Sequence, residues 1–375
     1  MLDLLDRLHD WHTGGMRAAL ATVVDTSLSA PRAPGAAMAV SESFEVVGSI
    51  SGGCVEAATV ALAETVLASG IPIREHFGVT DDDALSVGLT CGGTIDVYVE
   101  PVTDALLEHL RGIRRALRER RSVTVATVMP DGGLPARFRC EDGTIIGPKT
   151  ALPHWLPPLL SAERDELIRV DSGTVFIQIF TPVPRLIIFG AVDFASALAR
   201  LAKPLGYHVT ICDARPLFTT PERFPEADEV VVDWPHRYLD TIEPDHHTAL
   251  CVMTHDPKFD LPLLERALQR PAAYIGAMGS RRASADRMNA LRARGITPTQ
   301  LRRLHAPIGL DIGAATPAET AVSILAEILA ARAQRSGRPL TTGTGAIHAR
   351  HHRHEAIPPH TVDAAPGGHP APQGS

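Results

Sequence analysis

The spacing of apolar positions changes period several times along the first half of the chain, and each change marks an element. Residues 2–9 place Leu4, Leu5 and Leu8 on one helical face. The run AALATVVDTS is rich in β-formers and ends in a loop punctuated by Pro and Gly over 30–35. MAVSESFEVVGSI reads as a hairpin with its polar turn at 41–43. Ser51, Gly52 and Gly53 then break the pattern. Helical period resumes over 54–69 through Val55, Ala58, Val60, Ala63 and Leu67, until Gly70 and Pro72 stop it. Cys91, Gly92 and Gly93 lead into the strand TIDVYVEP. Residues 106–121 read as a basic helix, and 122–182 as short strands between Pro- and Gly-rich turns. Together, residues 1–182 form a first, mixed α+β domain.

From residue 183 the texture becomes strand, helix, strand. Strands are expected over 186–189, 208–212, 229–232, 249–254, 273–278 and 307–310, with helices over 193–204, 261–269, 284–294 and 317–332. Alternation at these lengths predicts an α/β, doubly wound parallel sheet covered on both faces, a Rossmann-like domain over 183–334. Asp260 reads as the N-cap of the helix from Leu261, and Thr316 with Glu319 as a capping box. Gly, Pro and His dominate 335–375, which predicts a disordered tail. Weak nickel or zinc binding by His348, His351, His352, His354, His360 and His369 is the alternative reading of that tail.

Composition narrows the class. Hydrophobic residues are 45% and charged residues 21% of the 375, enough for packed cores. A net charge of -7 argues against a nucleic-acid partner. No apolar run approaches the ~20 residues of a membrane helix. The first residues lack the basic and apolar regions of a secretion signal. The five cysteines are scattered and form no CxxC pair, against a disulfide framework or a structural zinc site. A soluble, cytoplasmic protein is expected, and a homo-oligomer.

Candidate chemistry gathers at glycine turns. In GSISGGCVE the two glycines permit close backbone approach, and Cys54 is placed in the first turn of a helix, where the dipole favours thiolate. Thr90-Cys91-Gly92-Gly93-Thr94 repeats the chemistry before a strand. Cys54 and Cys91 could hold a soft metal or a sulfur-bearing cofactor, or be small buried hydrophobes beside turns. In RLIIFGAVDFASALARLAKPLGYHVTICDAR, Gly190 makes the tight turn of a dinucleotide fingerprint, and Asp213 stands where an acid accepts a ribose hydroxyl. Val192 and Asp193 interrupt the glycine pattern, so an empty cleft and a nucleotide site both stay open. Gly276 and Gly279, followed by Arg281 and Arg282, form a second cradle suited to phosphate or carboxylate. His255 lies on the rim beside Asp256, as an acid/base or as a loop histidine paired to that acid.

At these residues the chain resembles the XdhC/CoxI family of accessory proteins for molybdenum hydroxylases. The resemblance is carried by ATVVDTSLSAPRAPGAAMAV, GSISGGCVEAA, LTCGGTIDVYVEP, LIIFGAVDFASALA, VTICDAR, IGAMGSRR and LHAPIGLDIGAATPAETAVSILAEILA, in the family's order. It implies binding of molybdenum cofactor (molybdopterin or its dinucleotide form), help with its sulfuration, and insertion into a xanthine dehydrogenase- or carbon monoxide dehydrogenase-type apo-enzyme. Such a chain is a cofactor chaperone rather than a catalyst, and a cysteine desulfurase is a candidate partner. Cys54 and Cys91 match the family's Gly-Gly-Cys and Cys-Gly-Gly turns, while Ser29, Pro31 and Arg32 match its Ser-x-Pro-Arg loop. Leu28 stands where many members carry Gly, and Val192-Asp193 replaces a frequent Gly-His. Arg32, Gly276, Gly279, Arg281 and Arg282 are then expected to grip phosphate, with Cys54 or Cys91 toward molybdenum. The rival is an NAD(P)-dependent oxidoreductase using His255, and a pure protein–protein adaptor is a third reading.

Overall fold

The computed structural model describes residues 1–27, 30, 32–78, 93–130, 133–148, 152–162, 165–170 and 173–342. These fall into two compact units that divide between Phe180 and Thr181. Most of the expected tail, from residue 343, lies outside the described residues, as do Leu28, Ser29, Pro31, Cys91 and Gly92. No described helix is long and apolar enough to cross a membrane.

The first unit is built on two five-stranded sheets. Helix α1 (Leu5–Thr13) precedes β1 (Ala18–Ser27), β2 (Ala37–Ser41) and β3 (Val46–Gly48). Helix α2 (Glu56–Ser69), β4 (Ile73–Phe77) and β5 (Thr94–Pro101) complete the first sheet, in the order β3-β2-β1-β5-β4. Successive side chains point to opposite faces of a strand, and β1 is buried on both sides. Ala19, Ala21 and Val23 pack with Val55, Ala63 and Val66 at α2, whereas Ala18 and Leu20 join Leu5, Leu8 and Leu107.

Leu107 belongs to α3 (Asp104–Arg118), which Thr103 caps through the Leu106 N–H. The second sheet follows: β6 (Val123–Met129), β7 (Ala136–Glu141), β8 (Thr144–Ile146), the short α4 (Leu156–Leu159), β9 (Glu166–Val170) and β10 (Gly173–Phe180), ordered β8-β7-β6-β10-β9. Val24 and Tyr98 of the first sheet meet Met129 and Phe176 of the second. Beside this contact buried Glu100 pairs with Arg137. Burial, with Arg137 and Arg139 close by, pushes His109 down to about 3, so its imidazole stays neutral.

The second unit is a six-stranded, wholly parallel sheet. In chain order its elements are β11 (Arg185–Phe189), α5 (Asp193–Ala202), β12 (His208–Asp213), β13 (Glu229–Val232), α6 (Pro235–Thr241), β14 (Thr248–Val252), α7 (Pro257–Ala267), β15 (Tyr274–Ala277), α8 (Arg281–Ala293), α9 (Pro298–Leu301), β16 (Leu304–His305) and α10 (Pro317–Arg332). The strand order β13-β12-β11-β14-β15-β16 reverses direction of growth between β11 and β14. One face packs on α5 and α10, the other on α6, α7 and α8. This is the doubly wound arrangement that the strand–helix alternation predicts.

Three local expectations need correction. Cys54 is not in the first turn of a helix, because α2 begins at Glu56 with Val55 as its N-cap. Asp260 is not an N-cap: Asp256 caps α7 through the Lys258 N–H, and Asp260 sits buried inside the helix. The last strand is Leu304–His305 rather than 307–310. Pro307 carries no N–H to give a ladder, so pairing stops before it.

Candidate functional site

In the first unit, the loop between β3 and α2 is folded around a carboxylate. Glu56 accepts the backbone N–H groups of Ser51 (3.0 Å), Gly52 (2.9 Å), Gly53 (2.8 Å) and Val55 (3.2 Å), the Ser49 hydroxyl (2.9 Å) and the Ser51 hydroxyl. Converging N–H groups of this kind form an anion-binding nest, here filled from within the chain. Wrapping so tightly needs Gly52 at φ 82° and Gly53 at φ 123°, where a side chain would be strained. Burial raises the Glu56 carboxyl, but the bonds from Ser51 and Ser49 overturn this and carry it to about 2. The donors of this turn therefore serve Glu56. Cys54 donates its own N–H to the Ser51 hydroxyl (3.0 Å), and its half-buried side chain packs against the core beneath α2. Arg32 is exposed on its loop, and Gly93 is buried at the start of β5.

In the second unit, ligands of such sheets sit outside the carboxyl ends of the strands where the order reverses, here β11 and β14. Gly190 ends β11 at φ 121°. A Cβ there would lie 3.0 Å from Thr254 Cγ2 and 3.2 Å from the Met253 carbonyl carbon, so only glycine lets the two strand ends approach. Asp213 faces the same turn but is already engaged. It accepts the Ala191 N–H (2.8 Å), the Arg215 N–H (2.9 Å), and Arg215 Nε and Nη2 at 2.9 and 2.7 Å. Burial raises its carboxyl, and Arg215 with these N–H groups more than offsets that, so it stays ionised. Arg215 follows Asp213 in the sequence by two positions, and that pairing was there to be read.

The ends of β14 and β15 are tied by a buried chain of bonds. Thr254 donates to Asp260, and Arg287 Nη2 donates to Asp260 (2.8 Å) and to the Met278 carbonyl (3.0 Å). Burial pushes the Asp260 carboxyl up against the pull of Thr254 and Arg287. Arg287 is only 8% exposed, and its Nη1 is buried without a hydrogen-bond partner among the described residues, under the Gly279 turn. Nothing in the local sequence distinguishes Arg287 from its basic neighbours, and Asp260 is the fourth residue of its helix.

Over this floor the predicted cradle takes shape unevenly. Ser280 caps α8 through the Ala283 N–H (3.1 Å), which sets Arg281 and Arg282 on the helix's first turn with exposed guanidiniums. Arg281 reaches Asp311 only at 3.8 Å, with both side chains open to solvent. Gly276 does something else: it lies inside β15, where a Cβ would be 2.5 Å from Ile308 Cδ1. His255 is exposed on the rim, and Asp256 is turned to α7 rather than to it. Between α7 and α8 opens a cavity of about 330 Å³ lined by His255, Pro257, Leu261, Ala283, Asp286 and Ala290, among others.

A parallel, doubly wound sheet with a glycine turn at its order reversal and a basic helix start at its ligand edge defines a Rossmann-type protein, preceded by a two-sheet unit bearing a Gly-Gly-Cys turn. Residues 186–328 match the model of the XdhC Rossmann domain, and residues 11–78 that of the XdhC and CoxI family. A probable xanthine dehydrogenase subunit of Bacillus subtilis (strain 168) is 32% identical over 326 residues, 84% of this chain and 93% of that protein. The chain belongs to the XdhC and CoxI family. It is also similar to the "Molybdenum cofactor insertion chaperone PaoD" of Escherichia coli (strain K12), at 27% identity over 85% of this chain and 84% of that one. A crystal structure described as a xanthine dehydrogenase from Bacillus halodurans superposes with a TM-score of 0.67 at 27% identity, covering 88% of this chain and 96% of that one.

Proposed function

We propose that this chain is an accessory protein that binds the molybdenum cofactor and passes it to a molybdenum hydroxylase, without catalysing the hydroxylation itself. Family membership and the similarity to a molybdenum cofactor insertion chaperone support the reading. The observation that carries it is the start of α8. Two exposed guanidiniums stand on the first turn of a thirteen-residue helix, at the ligand edge of the sheet, and Arg282 has no ion-pair partner among the described residues. A phosphate-bearing ligand needs such donors, since guanidinium and helix N–H groups both favour dianionic oxygens. The residues present fit the phosphate end of the cofactor. Arg281 and Arg282 would hold it, while the buried Thr254–Asp260–Arg287 chain keeps the neighbouring strand ends rigid.

When bound, the cofactor supplies a molybdenum centre on a pterin-borne dithiolene. What the protein contributes is binding, orientation and shielding. Cys54, in the first unit, is a candidate for sulfur chemistry considered by itself, and Cys54→Ala tests it. Assistance with sulfuration, contact with a cysteine desulfurase, self-association and a cytoplasmic location belong to the same proposal. Asp213, with four donors already on its carboxylate, is poorly placed to accept a ribose hydroxyl as well.

The test is transfer. Chain preincubated with molybdenum cofactor should activate an apo-hydroxylase faster than free cofactor does, and Arg281→Ala/Arg282→Ala should lose the advantage. Activation at the rate of free cofactor would contradict the proposal. So would tight binding of NADH followed by hydride transfer, read by nicotinamide fluorescence, which would make the chain an oxidoreductase.

A further inference from the structure

The cavity between α7 and α8 has no part in gripping phosphate, and its chemistry is of another kind. At about 330 Å³ it lies at the low end of small-molecule pockets, room for one ring system and not for a dinucleotide. Its apolar walls are Pro257 and Leu261 from α7, and Ala283 and Ala290 from α8. Ala283 and Ala290 are seven residues apart, two turns on one helical face, so small side chains keep a slot open along α8. The polar lining sets Asp260 and Asp286 beside His255 and Arg287. Arg287, the cation in the wall, gives its Nη2 to Asp260 and the Met278 carbonyl, while its Nη1 is buried without a partner among the described residues. The carboxylate of Asp286 is exposed and makes no ion pair with a described residue. An anion entering here would meet the exposed Asp286 carboxylate, while Asp260 lies buried beneath Arg287. A planar group offering N–H donors would meet an open acceptor.

We infer that this cavity seats a 2-amino-4-oxopyrimidine ring, the heterocycle shared by pterins and guanine, with the Asp286 carboxylate accepting hydrogen bonds from its ring N–H and its exocyclic amino group. Two parallel donors on one ring edge match the two oxygens of a carboxylate, as a guanidinium does. Adenine has only its amino group beside a ring acceptor, so one carboxylate oxygen would face a lone pair, and such a mismatch is strongly rejected. The apolar faces of Leu261, Ala283 and Ala290 supply contact to the ring plane. Asp286 also stands four residues beyond Arg282, on the same face of the helix and about 6 Å along its axis. One helix thus presents a basic start and the Asp286 carboxylate to a ligand with a phosphate at one end and a donor-edged ring at the other. The pterin assignment rests on the carrier reading above; the edge recognition does not.

Titration calorimetry on the full chain tests this with three probes, 6-hydroxymethylpterin, guanosine and adenosine. Saturable binding of pterin or guanosine is expected, with adenosine at least tenfold weaker. Pterin tighter than guanosine identifies the cofactor ring as the occupant, and the reverse identifies a guanine nucleotide. Asp286→Asn, on an exposed helical position, should weaken the preferred probe at least tenfold with an unchanged melting temperature. Ala290→Phe should abolish binding by filling the slot. Adenosine bound as well as guanosine, no binding of either ring, or Asp286→Asn within twofold of wild type would each overturn the inference. If wild type and Asp286→Asn retain molybdenum cofactor equally, the pterin assignment fails while the carrier reading stands. If wild type retains none but binds guanosine through Asp286, the carrier reading fails and the seat stands.

Discussion

Glu56 decides the shape of the Gly-Gly-Cys turn more than either glycine does. Its folded-state carboxyl, at about 2, lies below its ordinary value of 4.5. A depressed acid contributes stability that is complete above about pH 4.5 and is lost as pH falls through about 2. Calorimetric melting of the wild type should therefore decline over that window, and Glu56→Gln should start less stable and lack that part of the decline. Parallel profiles for the two proteins would show that the nest does not depend on the charge. Arg287 poses the opposite problem, a cation buried under a loop. Replacing it with Met leaves Asp260 buried beside a lost partner, and breaking a buried pair from one side costs about 3 kcal/mol or more. A urea-unfolding loss under about 1 kcal/mol for Arg287→Met would mean that Thr254 alone suffices for Asp260.

Elements were legible where local chemistry fixes their ends. The helix Pro317–Arg332 carries its capping box, Thr316 with Glu319, in the sequence, and both bonds form. Thr316→Ala should cost about 1 kcal/mol in thermal or urea unfolding, with no change in ligand binding. Strand Glu229–Val232 was equally plain from its apolar run between turn residues. Elsewhere tertiary structure outweighed local signals. Asp260 resembles a cap because helix starts favour Asp, yet Asp256 takes that place and Asp260 turns inward to Arg287. That partner lies 27 residues away and on another helix, which no local pattern can reveal. Gly276 read as part of a phosphate cradle because Gly, Gly, Arg, Arg suggests one, but its missing side chain makes room for Ile308. Gly276→Ala should destabilise by about 1–3 kcal/mol through overpacking. Normal stability with lost cofactor binding would instead return it to the cradle.

At the scale of the whole molecule, alternating periodicity sufficed to foresee a mixed α+β region before a doubly wound parallel sheet. Motif order sufficed to place the chain in its family. Strand order was not readable: β1 pairs with β5 across a separation of tens of residues, and β6 with β10 likewise, pairings set by apolar faces that many registers could satisfy. The candidate site was legible in its exposed parts, Arg281, Arg282 and His255, which follow strand ends directly. Its buried supports, Asp260 and Arg287, were not.

Whether the α8 start holds the cofactor's phosphate is the question on which the carrier role turns. The most direct measurement is molybdenum co-eluting with the purified chain after incubation with molybdenum cofactor, compared among wild type, Arg281→Ala/Arg282→Ala and Cys54→Ala. Near-stoichiometric metal on the wild type, falling at least tenfold in the double arginine variant at unchanged melting temperature, is the predicted result. Equal molybdenum on the wild type and the double arginine variant would contradict it.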